Sequence, residues 1–161
     1  MENFVNKLIA GGCLLVLMAG CRHKNSTKLV AEEILHQNED QLTQVIIYDV
    51  FTPPVASRIY VYSSLASYEA IRFSKNGNES IAEKLHGFGK MPQPEKDKKY
   101  DFTLAATKAF FTVVRNVKVF SVDSLVNYET TVYNNFKDNV DEETYQRSMA
   151  FGDTIAKAIL A

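Results

Sequence analysis

The sequence of 161 residues predicts an all-α chain. Three observations carry that expectation. Apolar residues recur at spacings of three and four in successive segments, and no segment alternates convincingly with a period of two. Capping residues or prolines stand where those segments begin. The links between the last segments are short, which favours antiparallel neighbours. The expected architecture is a bundle-like array of about five or six helices. One long Gly- and Pro-containing loop, residues 74–100, interrupts it.

Ser26 or Thr27 can cap a first helix reaching about Asp49, with Glu32 and Glu33 in its early turns. The β-branched tract Val45-Ile46-Ile47-Tyr48 leaves a short strand as a competing reading there. Thr52-Pro53-Pro54 opens the second helix, since proline in the first turn loses no needed N–H. Its stripe, Val55, Ile59, Tyr62, Ala66, Ala70 and Phe73, is widened by Leu65, Tyr68 and Ile71. Arg58, Glu69 and Arg72 are its only charges, and Glu69 can pair with Arg72 one turn on. Such a helix is expected to be covered on most sides and to form the centre of the bundle.

In the long loop, Asn78 can cap a short helix through His86, while Leu85, Phe88 and Met91 are placed to pack. The charged run Glu95 to Lys99 reads as a solvated surface. The third helix spans about Asp101 or Thr103 to Phe120, with Ala106, Phe110, Val113, Val117 and Phe120 forming its stripe. Ser121 or Asp123 caps the fourth, which turns Leu125, Tyr128, Val132 and Phe136 inward. Asn139 or Asp141 begins the last, with Tyr145, Met149, Gly152, Ala156 and Ile159 on one face. Glycine inside a helix is unfavourable by about 1 kcal/mol, so Gly152 implies a close helix approach.

The amino terminus reads as a targeting segment. Leu8 to Cys21 carries no charge over fourteen residues, short of the roughly 20 that cross a bilayer as a helix. It closes on Met18-Ala19-Gly20-Cys21, which resembles a bacterial lipobox. Residues 1–20 are thus expected to be a lipoprotein signal peptide, Cys21 the lipidated residue, and 21–26 a polar tether containing Arg22, His23 and Lys24. Acyl chains on Cys21 would anchor the body to the membrane outside the cytoplasm, each buried CH₂ contributing about 0.8 kcal/mol. An ordinary N-terminal anchor helix is the competing reading. Processing would remove Cys13 and leave no partner for a disulfide.

Composition narrows function by exclusion. Lys plus Arg is 18 against 19 acids, a net charge of -1, so no electrostatic footprint for nucleic acid exists. His23, His36 and His86 are scattered without HxxxH, HExxH or CxxC spacing, which argues against a metal site. Asp141-Glu142-Glu143 and Glu32-Glu33 read as first-turn acids favoured by the helix dipole. Gly87-x-Gly89 lacks the strand context of a nucleotide loop and reads as a turn. Tyr48, Tyr60, Tyr62 and Tyr68 read as packing residues by their helical spacing. Arg58 or Arg115 could hold an anion through the guanidinium fork, but an interhelical salt bridge or carbonyl cap is the stronger reading of both.

The run Asp49-Val-Phe-Thr-Pro-Pro-Val-Ala-Ser-Arg-Ile-Tyr60, continuing to Ala66-Ser-Tyr-Glu-Ala70, resembles bacterial vanadium-dependent haloperoxidase-like proteins of the type 2 phosphatidic acid phosphatase superfamily. Ser80-Ile-Ala-Glu-Lys-Leu-His-Gly-Phe-Gly-Lys-Met-Pro-Gln-Pro94, Tyr100-Asp-Phe-Thr-Leu-Ala-Ala106 and Phe151-Gly-Asp-Thr-Ile-Ala-Lys-Ala-Ile159 resemble later blocks of the same proteins. The resemblance implies an envelope enzyme that hydrolyses phosphate esters or uses vanadate and peroxide to oxidise halide. It implies an oxyanion held by a lysine, an Arg-Pro, a Pro-Ser-Gly-His segment and a later Ser-Arg with a further histidine. No Arg-Pro or Ser-Gly-His occurs in this chain, so no catalytic, cofactor or metal residue is carried over.

The chain stops at Leu160-Ala161 within helical periodicity. Residues 27–161 are accordingly expected to be an incomplete domain, the inert N-terminal helical part of such an enzyme with the catalytic half absent. Its Tyr145-Met149-Ile159 face would lack cover and promote self-association. The alternative is a complete helical envelope lipoprotein with a structural or binding role.

Overall fold

A computed structural model of the protein describes residues 30–117 and 122–161. The leader, Cys21, the tether, the cap at Ser26 or Thr27, Phe120 and Ser121 lie outside the described residues. Among those described, the chain is all-α. Five helices follow in order: α1 (Ala31–Tyr48), α2 (Pro53–Ile71), α3 (Phe102–Asn116), α4 (Val122–Asn139) and α5 (Glu142–Leu160). Short 3₁₀ turns lie at Arg72–Ser74 and Ala82–Lys84. The β-branched tract near residue 46 is helical, because Val45 and Ile46 bury against α2 and α3 and tertiary packing overrides local propensity.

Local chemistry accounts for the helix starts. Asp101 accepts from the Leu104 amide at 2.9 Å, and Asp141 from the Thr144 amide at 2.9 Å. These carboxylates satisfy amides that the first turn leaves without partners. At α2, Pro53 stands in the first turn and the Thr52 side chain makes no cap bond, so proline geometry alone sets that start.

The centre of the bundle is α3, not α2. Leu104 to Val114 supply ten buried side chains on α3, packed most extensively on α2 and α5 and also on α1. Alanines at 105, 106 and 109 let neighbouring helices approach. Only the C-terminal half of α2 is enclosed. In its N-terminal half Val55 is 42% and Val61 60% exposed, which corrects the expectation of cover on most sides. A wide apolar stripe marks what a helix can bury, not what is present to cover it.

Two further expectations fail. Tyr145 and Ile159 are 4% and 3% exposed, so the α5 face expected to lack cover is already packed against α3 and α4. The most exposed apolar residues lie instead at the α1–α2 corner, where Ile47, Tyr48 and Val50 face solvent and Val50 holds a left-handed φ of +55°. Leu85 in the long loop is also exposed, whereas Met91 is buried and Phe88 half-buried.

Gly152 does mark a close approach. A Cβ built there would lie 2.8 Å from the Lys108 Cβ and closer still to the Ala105 carbonyl oxygen. The short helix expected from Asn78 shrinks to one 3₁₀ turn, for a reason that lies in Glu69.

Candidate functional site

The most chemically loaded buried group in the described residues is the Glu69 carboxylate, which is fully enclosed. Its Oε1 accepts from the Ser80 hydroxyl at 3.0 Å, the Ile81 amide at 2.8 Å and the Ala82 amide at 2.9 Å. Its Oε2 accepts from Arg72 Nε at 2.9 Å, the pair expected from the one-turn spacing. Arg72 is itself buried, and its guanidinium lies 4.0 Å from the Phe73 ring centroid. Ser80 Oγ accepts from the Glu83 amide at 3.1 Å, and Glu83 in turn accepts from the Met91 amide at 2.8 Å. A chain of charge-assisted bonds thus fastens residues 78–91 onto α2. Because Glu69 holds the amides of Ile81 and Ala82, the helix expected there stays a single tight turn.

This fastening places His86 and Phe88 beside the bare half of α2. Two adjoining hollows result, of about 310 and 420 Å³, which share Arg58, Tyr62 and Val117. The smaller adds Val55, Ile59 and Asn116. The larger adds His86, Phe88 and the last turn of α5. Tyr62 and Phe88 face one another with ring centroids 6.4 Å apart. Gly87 turns the loop with a φ of +94°, in keeping with the turn expected of Gly87-x-Gly89. A third hollow, of about 340 Å³, lies between α1 and α2, where Ser64 donates to Glu39 at 2.5 Å.

The two arginines singled out by the sequence have different environments. Arg115 pairs with the buried carboxylate of Glu129, joining α3 to α4. Burial, and next the charge of Glu129, push the neighbouring Tyr133 hydroxyl well above the usual tyrosine range. Arg58 does not meet the salt-bridge expectation. It is exposed and makes no hydrogen bond or ion pair among the described residues, because no acid lines either hollow.

The tyrosines divide as well. Tyr60 donates to Thr43 at 2.8 Å and Tyr68 to the Glu79 carbonyl at 3.0 Å, whereas Tyr48 is 78% exposed, against the packing role expected of it. The Asp141 cap, with the Thr144 backbone bond first among the causes, holds its carboxyl down at about 2. Glu32, Glu33, Glu142 and Glu143 are exposed first-turn acids. His36 and His86 stand apart, and no group of three His, Cys, Asp or Glu among the described residues could hold a metal ion.

Sequence reasoning found the Glu69–Arg72 pair but missed that the same carboxylate collects three donors from residues 80–82. The available signal was an acid on the apolar face of α2, facing a Ser-x-x-Glu box eleven residues on. It also missed that His86 returns to the side of Arg58.

Comparison with known proteins gives one informative result. The crystal structure of the first bacterial vanadium dependant iodoperoxidase matches with a TM-score of 0.72 and 30% sequence identity. The chain is linked in sequence and fold to the vanadium-dependent haloperoxidases. The alignment covers 79% of this chain and 30% of the iodoperoxidase, so the chain spans under a third of that protein's length. No family model matches the chain, and no curated protein matches it.

The residues present do not fit a vanadate site. Among the described residues, Arg58 is the only arginine or lysine lining the two hollows, and His86 the only histidine. A single exposed guanidinium is not the converging set of donors that a multiply charged oxyanion needs, and no step through vanadate is assigned to these residues.

Proposed function

We propose that this chain is the non-catalytic N-terminal helical part of an envelope lipoprotein enzyme related to the vanadium haloperoxidases and type 2 phosphatidic acid phosphatases. Such an enzyme would hydrolyse phosphate esters or oxidise halide with vanadate, at a site built from segments other than these. Lipidated Cys21 would hold the body on the membrane, outside the cytoplasm, with no role in nucleic-acid binding.

One observation carries the proposal. Most of this chain aligns with less than a third of a bacterial vanadium iodoperoxidase. The central helix α3 and the inward face of α5 are well buried, which suits a scaffold.

The experiment has two arms. The purified chain should neither cleave a generic phosphomonoester nor brominate an indicator dye with vanadate and peroxide. The coding sequence downstream of codon 161 should continue in frame and encode the lysine, Arg-Pro and Ser-Gly-His segments. Activity abolished by Arg58→Ala would overturn the non-catalytic assignment. A stop codon followed by intergenic sequence would favour a complete lipoprotein with a binding or structural role.

A further inference from the structure

Neighbouring helices of a bundle ordinarily meet through apolar side chains, but α1 and α2 face each other across a polar gap. Both pack on α3, and the third hollow lies between them with the buried Phe110 of α3 in its lining. From α1 the hollow takes Glu32, His36 and Glu39, at helical spacings of four and three. From α2 it takes Ser64, Ser67 and Ile71, at three and four, so each helix turns one face to the gap.

Two groups in this hollow have no structural task. Glu32 is favoured by the dipole at the start of α1, but Glu39 stands two turns further in and is half-buried. Its Oε1 accepts from the Ser64 hydroxyl, while its Oε2 accepts nothing among the described residues. Ser67 is only 8% exposed, and its hydroxyl makes no hydrogen bond among the described residues. Serine within a helix commonly returns its hydroxyl to the carbonyl four residues back. Ser63 does so, at 2.8 Å from the Ile59 carbonyl, whereas Ser67 leaves its hydroxyl to the hollow that it lines.

We propose that this hollow binds a small primary amine in its ammonium form, with the apolar body of the ligand against Leu35, Ile71 and Phe110. The three N–H donors of a primary ammonium answer the Glu39 Oε2, the Glu32 carboxylate and the Ser67 hydroxyl oxygen. Bonds from a cation to carboxylates are the charge-assisted kind, and a half-buried carboxylate is screened less than an exposed one. The volume of about 340 Å³ stands at the small end of ligand sites, which suits an arylalkyl amine. Two carboxylates oppose an anion. A metal ion fits less well, since no three ligating side chains converge among the described residues. Such binding does not require the enzyme activity proposed above.

The test titrates the full chain by calorimetry with 2-phenylethylamine, 2-phenylethanol and the N,N,N-trimethyl derivative of the amine. At about pH 8 the amine is charged and histidine is neutral, so His36 does not compete. The amine should bind with a Kd below about 1 mM and at least about tenfold more tightly than the alcohol. The trimethyl compound keeps the charge but has no N–H, and should bind several-fold more weakly than the amine. Glu39→Gln should erase the preference for amine over alcohol. Ser67→Ala should weaken the amine about threefold or more, with thermal unfolding and alcohol binding unchanged. Glu33→Gln, at an exposed acid of α1 that does not line the hollow, should change nothing. No binding, equal binding of amine and alcohol, or a trimethyl compound as tight as the amine overturns the proposal. So does a preference that survives Glu39→Gln, or one that Glu33→Gln also removes. If Glu39→Gln fails to fold, Ser67→Ala decides, and amine binding equal to the parent's overturns the proposal.

Discussion

Replacing Gly152 by alanine should destabilise the protein, although alanine is the better helix former. The propensity gain is about 1 kcal/mol. Against it stands the added Cβ, 2.8 Å from the Lys108 Cβ and still nearer the Ala105 carbonyl, both belonging to the rigid central helix. Ordinary carbon contacts need about 3.5 Å or more, so α5 must move away from α3 by roughly 1 Å. That shift loosens the packing of Ala105, Ala109, Ile155 and Ala156, which are buried where α3 meets α5. Overpacking of this kind costs about 1–3 kcal/mol, and the loosened contacts add to it. The net expectation is a loss of about 1–2 kcal/mol, or a fall in melting temperature of roughly 3–8 °C for a chain of this size. Thermal and urea unfolding of the full chain by circular dichroism measure it. Ala150→Gly, at an exposed position of the same helix, is the control and should cost about 1 kcal/mol from propensity alone. Gly152→Ala as stable as the parent would refute the argument that backbone approach, not chance, keeps glycine there.

Glu69→Gln should cost about 3–5 kcal/mol, because it leaves the buried Arg72 charge without its carboxylate; hydrogen exchange at Ile81 and Ala82 should accelerate with it. The carboxyl of Asp141 is depressed from 3.8 to about 2, so its contribution is present above 3.8 and lost as pH falls toward about 2. Asp141→Asn keeps a capping oxygen but not the charge, so its stability gap to the parent should close across that interval in acid-unfolding curves. Cys21→Ser should abolish the diacylglyceryl and acyl mass increase seen by mass spectrometry of the chain expressed with its leader, and an unmodified parent would refute lipidation. Ile47→Ser with Val50→Ser should lower any self-association in sedimentation without loss of helicity, whereas polar substitution of Ile159 should unfold the chain, since that side chain is buried.

How much was legible in advance depended on whether a feature is local. Asp101 and Asp141 cap helices where the sequence places them, and Pro53 opens α2, because these signals act within a few residues. The Glu69–Arg72 pair is one helical turn long and was equally legible. Gly152 was legible as an anomaly, but its partner, the Ala105 carbonyl, is distant in sequence. What escaped was non-local. Which stripe lies at the centre depends on how many neighbours each helix has, and α3 has four alanine-rich or aromatic turns surrounded by α1, α2 and α5. The Tyr145–Ile159 face was misjudged for the same reason. Its stripe was right, and its cover came from α3 and α4, which periodicity alone cannot assign.

The same distinction bears on the site. A residue fastened inside the bundle and an exposed one look alike in a helical repeat: Arg58 stands on α2 and Arg72 just past its end, fourteen residues apart. Burial separates them. Arg72 has its carboxylate, its carbonyl from Asn78 and its aromatic ring, and is a finished piece of structure. Arg58 lines two hollows with no Asp or Glu in either among the described residues, and has exposed valines next to it. In a chain that aligns with under a third of a haloperoxidase, the finished network marks what the bundle does for itself.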